Sequence, residues 1–471
     1  MFERSFASLI RKEIIGLDTQ VPLMNNGFTK YVNFDNAAST PAFKVSYYKV
    51  KKFLHWYSNV HRGAGFKSQI ATKIYDDVHN IVANFIGADK DKNTTIFVKN
   101  TTEAINKLSY SLNLSDGDIV ITTLMEHHSN ILPWRNKAKV IYLQLNENGR
   151  LDLTDLKSKL EKYGKRVKLV AICGASNVTG YINPIHKIAR VVHNYNSQLL
   201  VDAAQLIPHR PIDIKSNNNP EHIDYLAFSA HKMYAPFGTG VLVGPKDTFL
   251  QQGPDYSGGG TIKAVTLDDT IWANLPDKEE AGTPNIIGAV ALGATIKFLE
   301  KIGFKKIVKH ENKLLNYTLD QLQQLEEVKL YGAMKTGNAK KQVGVIPFNI
   351  TSIPHSLVAA ILANEAGIGV RNGCFCAHPY IHYLLGLTDK EINQSKKALA
   401  QEDYSQKPGL VRISFGSYNT TKEIDHLINT LQKIIKRQQS GFDLTKNYEF
   451  DSTSGEYMPK KDFNYDHFFK L

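Results

Sequence analysis

Leu199-Leu200-Val201-Asp202-Ala203-Ala204-Gln205 and Tyr225-Leu226-Ala227-Phe228-Ser229-Ala230-His231-Lys232 both run from an apolar stretch into polar chemistry. Short, uninterrupted apolar runs of this kind read as strands buried on both faces of a parallel sheet. Asp202 and Lys232 then fall at the carboxyl ends of those strands, where open α/β sheets bind their ligands. An acid and an ammonium are costly to bury there without partners. One reading is an ion pair that fastens two strands. The other is a lysine that forms a Schiff base with a carbonyl, beside an aspartate that holds a ring nitrogen protonated. These two segments alone leave both readings open.

Working outward, short apolar runs alternate with amphipathic ones from Tyr31 to about Ile302. Strands are predicted at Thr95–Val98, Ile119–Thr122, Val140–Leu143, Val167–Ile172, Leu199–Asp202, Tyr225–Ser229 and Gly240–Val243. Helical periodicity falls between them, at Ser68–Phe85, Thr102–Leu112 and Pro184–Tyr195. This alternation predicts an α/β fold with a large, mostly parallel seven-stranded sheet covered on both faces. Beyond Ile302 a long helix, about 305–325, opens a smaller α+β unit whose last helix covers about 422–437. The expected organisation is a large domain over 31–302, a small domain built from 1–30 and 303–437, and a tail over 438–471. Residues 1–30 are expected to form a helix and a loop. The tail carries Phe442, Tyr448, Phe450, Tyr457, Phe463, Tyr465, Phe468 and Phe469. So many aromatics argue against a free disordered tail, so it is expected to pack on the body or on a partner subunit.

Bulk properties narrow the function classes. The chain has 471 residues, 42% apolar and 22% charged, the balance of a soluble globular enzyme with two domains. Met1-Phe2-Glu3-Arg4-Ser5-Phe6 has an early acid and no apolar core, so it does not read as a signal peptide. No run approaches the roughly 20 apolar residues of a membrane helix, so no membrane association is expected. Three cysteines make no disulfide framework, and a reducing cytoplasm is the expected setting. The net charge of +12 is spread along the chain with no recognition motif, so nucleic acid is not an expected partner.

The Schiff-base reading, with pyridoxal phosphate (PLP) as the carbonyl, asks for further parts. A phosphate needs N–H groups and hydroxyls at the start of a helix. Asn100-Thr101-Thr102-Glu103 supplies them after a predicted strand, although it also reads as an ordinary helix cap. A flat ring needs an aromatic plate, and Glu126-His127-His128-Ser129-Asn130 offers the imidazole of His127. Asn177, within Ser176-Asn177-Val178-Thr179-Gly180, and Gln205 are candidates for the ring hydroxyl oxygen. Ser229 and His231 flank Lys232 and are candidate phosphate donors. Each part is ordinary alone; their order at successive strand ends is not.

Together with Asn33-Phe34-Asp35-Asn36-Ala37-Ala38, Asn59-Val60-His61-Arg62-Gly63, Glu280-Ala281-Gly282-Thr283-Pro284-Asn285 and Tyr418-Asn419-Thr420, these segments resemble the class V, fold-type I PLP-dependent enzymes. Within that class the chain is similar to the SUF-type cysteine desulfurases, with only the aromatic tail outside the match. The resemblance implies that Lys232 is the Schiff-base lysine, that Asp202 pairs with the pyridine nitrogen and that His127 stacks on the ring. It implies that Thr101, Thr102, Ser229 and His231 lie at the phosphate, with Thr283 reaching it across the interface of an obligate homodimer.

The reaction so implied converts L-cysteine to L-alanine and leaves a persulfide on a loop cysteine for a sulfur-acceptor protein. Val370-Arg371-Asn372-Gly373-Cys374-Phe375-Cys376-Ala377-His378-Pro379 holds that loop, and the resemblance places the nucleophile at Cys376. A thiolate needs cationic neighbours and exposure, and Arg371 and His378 are the candidates for the former. Cys374 stands where the SUF-type enzymes usually carry histidine. The resulting Gly-Cys-Phe-Cys is similar to the loop of molybdenum cofactor sulfurases, which append a large C-terminal domain. A metal pair, a strained disulfide, and an incidental thiol in an aminotransferase, selenocysteine lyase or epimerase are the alternatives. Cys173 reads as core. An amino-acid carboxylate calls for a bidentate arginine, and Leu410-Val411-Arg412-Ile413-Ser414 resembles the family's binding segment, with Arg371, Asn36 and Ala37 expected near the same group.

Overall fold

A computed structural model describes residues 2–332, 334, 337 and 341–471. The chain divides into two compact units, one of Ser39–Ser176 and Tyr181–Val308, the other of Met1–Ala38, Asn177–Gly180 and Lys309–Leu471. The divisions thus fall at 38 and 308, where the sequence placed them at 30 and 302. Asn177–Gly180, read from sequence as part of the large domain, is grouped with the other unit.

The larger unit is built on a seven-stranded sheet. From edge to edge its strands are Asn93–Val98, Gly240–Pro245, Tyr225–Ser229, Gln198–Asp202, Val167–Cys173, Ile119–Thr123 and Lys139–Leu143. All seven match strands predicted from sequence. Gly240–Pro245 alone runs antiparallel to its neighbours, so the others deliver their carboxyl ends to one edge. Burial on both faces explains their unbroken apolar runs: every residue of Ile119–Thr123 and Tyr225–Ser229 is buried. Ile96, Val120, Leu169, Leu200, Ala227 and Leu242 form one core layer with Leu108 and Trp134. Each large aliphatic so buried contributes about 1.5–3 kcal/mol. The helices Lys44–Phe53, Phe66–Phe85 and Ile286–Ile302 pack together in the same unit. Gly240 begins the antiparallel strand between Val98 and Ser229. A Cβ there would lie 2.5 Å from the Asn100 Cα, so only glycine lets the strand start so close to the following helix.

The smaller unit carries a four-stranded antiparallel sheet in the order Val328–Leu330, Val345–Ile350, Leu410–Ser414, Arg371–Gly373. Its core joins Ile346, Phe348, Val411 and Ile413 to the helices His355–Ala366 and Thr421–Gln439. The latter starts with a reciprocal cap between Thr420 and Glu423 and buries Ile424, Leu427, Ile428, Leu431 and Ile435 on one stripe. The N-terminal segment forms a helix, Phe2–Lys12, as expected. The loop expected after it instead contains a hairpin of Gln20–Pro22 with Phe28–Lys30. The aromatic tail belongs to this unit and folds as a hairpin, Tyr448–Asp451 against Glu456–Pro459. Tyr448 is buried with its hydroxyl near Glu365, whereas Tyr465, Phe468 and Phe469 are exposed.

Candidate active site

In the sheet unit, the sequence-predicted residues other than Thr283 lie at or beyond the carboxyl ends of the parallel strands. Lys232 ends the single turn Ala230–Lys232 that follows the strand Tyr225–Ser229, and it is half-buried. Asp202 is the last residue of its own strand and is buried. Burial pushes its carboxyl up, while the Ala204 amide, 2.9 Å away, and the charge of Lys232 act against that rise. The acid therefore sits in a low-dielectric position with a lysine as its electrostatic partner, the setting in which it can hold a ring-nitrogen proton.

The start of the helix Thr101–Ser111 gathers several hydroxyls. The side chain of Asn100 caps it by accepting from the Glu103 amide. Ser229 accepts from the Thr101 amide at 2.8 Å, and its hydroxyl meets the Thr101 hydroxyl at 2.6 Å. The exposed hydroxyl of Thr102 meets that of Ser129 at 2.7 Å. The Ser129 amide donates to His127 Nδ1 at 3.1 Å, which makes Nδ1 an acceptor and puts the proton of the neutral ring on Nε2. His231 is driven down to about 4 by burial and by Lys232, so it is a neutral donor or acceptor near pH 7. Gln205 is buried beyond Asp202. Thr283 is exposed in a loop held at both ends. At one end Glu280 accepts from His79 and the Phe97 amide, and at the other Asn285 caps the helix Ile286–Ile302.

The smaller unit positions the cysteine loop. Leu410–Ser414 carries Arg412, which is 3% exposed. Its Nη1 donates to the Asn177 carbonyl at 2.9 Å and its Nη2 to Asp35 Oδ1 at 3.0 Å, and its guanidinium lies 4.8 Å from the Phe375 ring centre. Its Nε is buried without a partner, a donor left over for an anion. Phe375 and Cys376 both adopt left-handed backbone, with φ of +49° and +55°, uncommon for residues with a Cβ. The carbonyl of Phe375 accepts from Asn177 Nδ2 at 2.7 Å, which ties the strained turn down. Cys376 is exposed at its crest and lies within electrostatic range of Arg412.

Several expectations change here. Cys374 is buried: its thiol donates to the Pro408 carbonyl at 2.8 Å, and burial pushes it up to about 11. It is a protonated structural thiol. Asn177, expected at a ring oxygen, turns an amide proton to the cysteine loop. Asn36 has its amide nitrogen on the Asn33 and Ser414 carbonyls and its oxygen on the Tyr418 hydroxyl, while the Ala37 amide donates to Ser414 Oγ. These bonds brace the segment. Arg371, half exposed, pairs with Asp35 Oδ2 at 3.1 Å. Asp35 thus bridges Arg371 and Arg412; sequence reasoning quoted it and gave it no role. Glu126 was passed over in the same way. It is fully buried, accepts from Thr123 and Asn130, and is raised to about 7, chiefly by burial.

Comparison with known proteins places this arrangement. The family described as Aminotransferase class-V matches residues 32–427. A cysteine desulfurase of Haloferax volcanii is 34% identical over 86% of this chain and 89% of its own length. A probable cysteine desulfurase of Halalkalibacterium halodurans is 38% identical over 80% of this chain and 86% of its own. The apo structure of a cysteine desulfurase from Thermococcus onnurineus superposes with a TM-score of 0.76 at 34% identity, covering 86% of this chain and 95% of that one. A cysteine desulfurase of Escherichia coli, with an S-sulfonic acid, gives 0.74 at 26% identity, over 91% and 98%. The chain is a member of the aminotransferase class-V family, and the relatives and structures it is similar to are cysteine desulfurases.

Proposed function

We propose that this protein is a PLP-dependent cysteine desulfurase that takes sulfur from L-cysteine as a persulfide on Cys376 and releases L-alanine. The observation that carries the reading is the exposed Cys376 on a strained turn, beside Phe375, whose ring lies 4.8 Å from the guanidinium of a buried arginine with an unsatisfied Nε. The sheet unit fits PLP: the hydroxyls of Thr101 and Ser229 meet at a helix start, and buried Asp202 sits within the field of Lys232. When bound, the cofactor supplies an electrophilic carbonyl and an electron sink.

The chain's own residues do the rest. Lys232 would hold the cofactor through its amine and, with substrate bound, would act as the base that takes the α-proton and returns it before alanine leaves. Asp202 would keep the ring nitrogen protonated, and His127 would supply a flat face for the ring. Arg412 holds the substrate carboxylate through its spare donor. The thiolate of Cys376 attacks the substrate sulfur; an S–S bond forms, the carbon–sulfur bond breaks, and the electron pair left on carbon takes up a proton to give alanine. Exposure of Cys376 suits transfer of the terminal sulfur to an acceptor protein. Thr283, exposed in its braced loop, serves the partner's cofactor in a homodimer of the cytoplasm. The test is turnover of L-cysteine with a thiol reductant, which should give alanine and sulfide in equal amounts and fail in Lys232→Ala. Alanine formation at the wild-type rate in Cys376→Ser would instead favour a class V reaction that needs no thiol.

A further inference from the structure

At the opposite edge of the large sheet from Lys232, three ligating side chains converge. His193 ends the helix Ile185–His193, and His222 and Asp224 lead into the strand Tyr225–Ser229. The two imidazoles stack with centroids 4.1 Å apart and planes 16° apart. Their Nδ1 atoms both face backbone carbonyls, His193 at 2.9 Å from Pro220 and His222 at 2.7 Å from Asn219. A carbonyl only accepts, so each Nδ1 carries a proton. The Nε2 atoms of both rings point at one carboxylate. His193 Nε2 is 2.8 Å from Asp224 Oδ2, and His222 Nε2 is 3.2 Å from Oδ1. With Nδ1 protonated, each Nε2 meets the carboxylate favourably only through a positive charge, carried either by a second ring proton or by a metal ion. Two protons serve only by stacking two imidazolium charges; a single divalent cation satisfies all three ligands at once.

We propose that His193, His222 and Asp224 form a binding site for one borderline divalent transition-metal ion of the Zn²⁺ type. Two imidazole nitrogens and a carboxylate oxygen make a zinc donor set, with water free to complete a tetrahedron. Backbone carbonyls on the distal nitrogens are the outer partners that metal-bound histidines characteristically have. The ligand atoms all lie within 4.8 Å of one another. A tetrahedral ion with bonds of about 2.0 Å spaces its ligands by about 3.3 Å. The 3.2 Å contact already fits, and the 2.8 Å contact opens by a few tenths. Asp224 is buried, and its Oδ2 also accepts from the Leu199 amide at 2.8 Å, which fixes the carboxylate in place. The nearby cations Arg190 and Lys215 both pair with Glu221. The ion clips the turn around Asn219–Asp224 to the end of the helix Ile185–His193.

The test uses the full-length holoenzyme, stripped with a chelator, then titrated with Zn²⁺ by calorimetry and with Co²⁺ by visible absorption. Wild type should gain tetrahedral Co²⁺ bands and a zinc-dependent rise in Tm. His222→Asn and His193→Gln should each lose that equivalent or bind it about 10–100-fold more weakly. An exposed thiol such as Cys376 takes up Zn²⁺ or Co²⁺ when either is added, so the decisive quantity is the equivalent that disappears with a histidine. Unchanged stoichiometry and affinity in the variants, or no binding by wild type, overturns the site. Anomalous diffraction from zinc-soaked wild-type crystals decides if a variant fails to fold: a peak among the three side chains supports the site, and none there overturns it.

Discussion

Asp35→Asn separates the positioning of Arg412 from its presence. The aspartate bridges two arginines of very different exposure, Arg412 at 3% and Arg371 at 50% of the side chain. The contact with Arg371 is a surface pair worth about 0–1 kcal/mol. Breaking a buried pair costs roughly 3–5 kcal/mol, because the surviving charge is left uncompensated. Asp35 is itself 21% exposed and asparagine keeps one acceptor for the guanidinium, so about 2 kcal/mol is the expected loss at Arg412. If that arginine clamps the substrate carboxylate, the loss is one of ground-state and transition-state binding alike. It should appear as a rise in KM for L-cysteine of about 30-fold with kcat changed less than about threefold. Steady-state alanine release against cysteine concentration reads both constants, and Arg371→Ala is the control, expected to move KM by less than about threefold. A KM in Asp35→Asn within about twofold of wild type would refute the claim that Asp35 positions the clamp.

Three further outcomes follow from the same geometry. Cys374→Ala should keep turnover while lowering stability by about 1–2 kcal/mol in urea unfolding, because it removes a buried donor from the Pro408 carbonyl; loss of alanine formation would make it a relay thiol. Glu126 is raised to about 7 from 4.5, so its folded form favours the proton. The unfolded chain ionises first as pH rises, so stability should fall between about pH 4.5 and 7 by up to about 3 kcal/mol and then level off. Glu126→Gln should remove that slope, and an unchanged slope would show that Glu126 is not its source. Gly240→Ala places a Cβ 2.5 Å from the Asn100 backbone and should cost about 1–3 kcal/mol with loss of cofactor retention, measured by unfolding and dialysis; wild-type stability would contradict the close approach.

The large sheet was legible because strands buried on both faces have to be apolar throughout, and their polar ends have to be ligand groups. Asp202, Lys232, Thr101, Ser229 and His127 were picked out in this way, and the fold sets them at or after the carboxyl ends of those strands. The smaller unit was less legible. Asn36 and Ala37 read as substrate donors in sequence, and the hydrogen bonds that link them to Ser414 and Tyr418 have no local signal there. Asp35 has no local signal, because its partners lie more than three hundred residues along the chain. The two thiols of the loop look equivalent in sequence. What separates them is backbone conformation: the left-handed residues Phe375 and Cys376 turn one thiol outward, while Cys374 stays beneath.

The central claim is that sulfur moves from cysteine to Cys376. Mass spectrometry of the holoenzyme after reaction with L-cysteine, without reductant, tests it directly. The account predicts the mass of one added sulfur atom on the peptide carrying Cys376, absent in Lys232→Ala and in Cys376→Ser. Alanine released with no sulfur retained on that peptide, or sulfur carried on Cys374 instead, would contradict it.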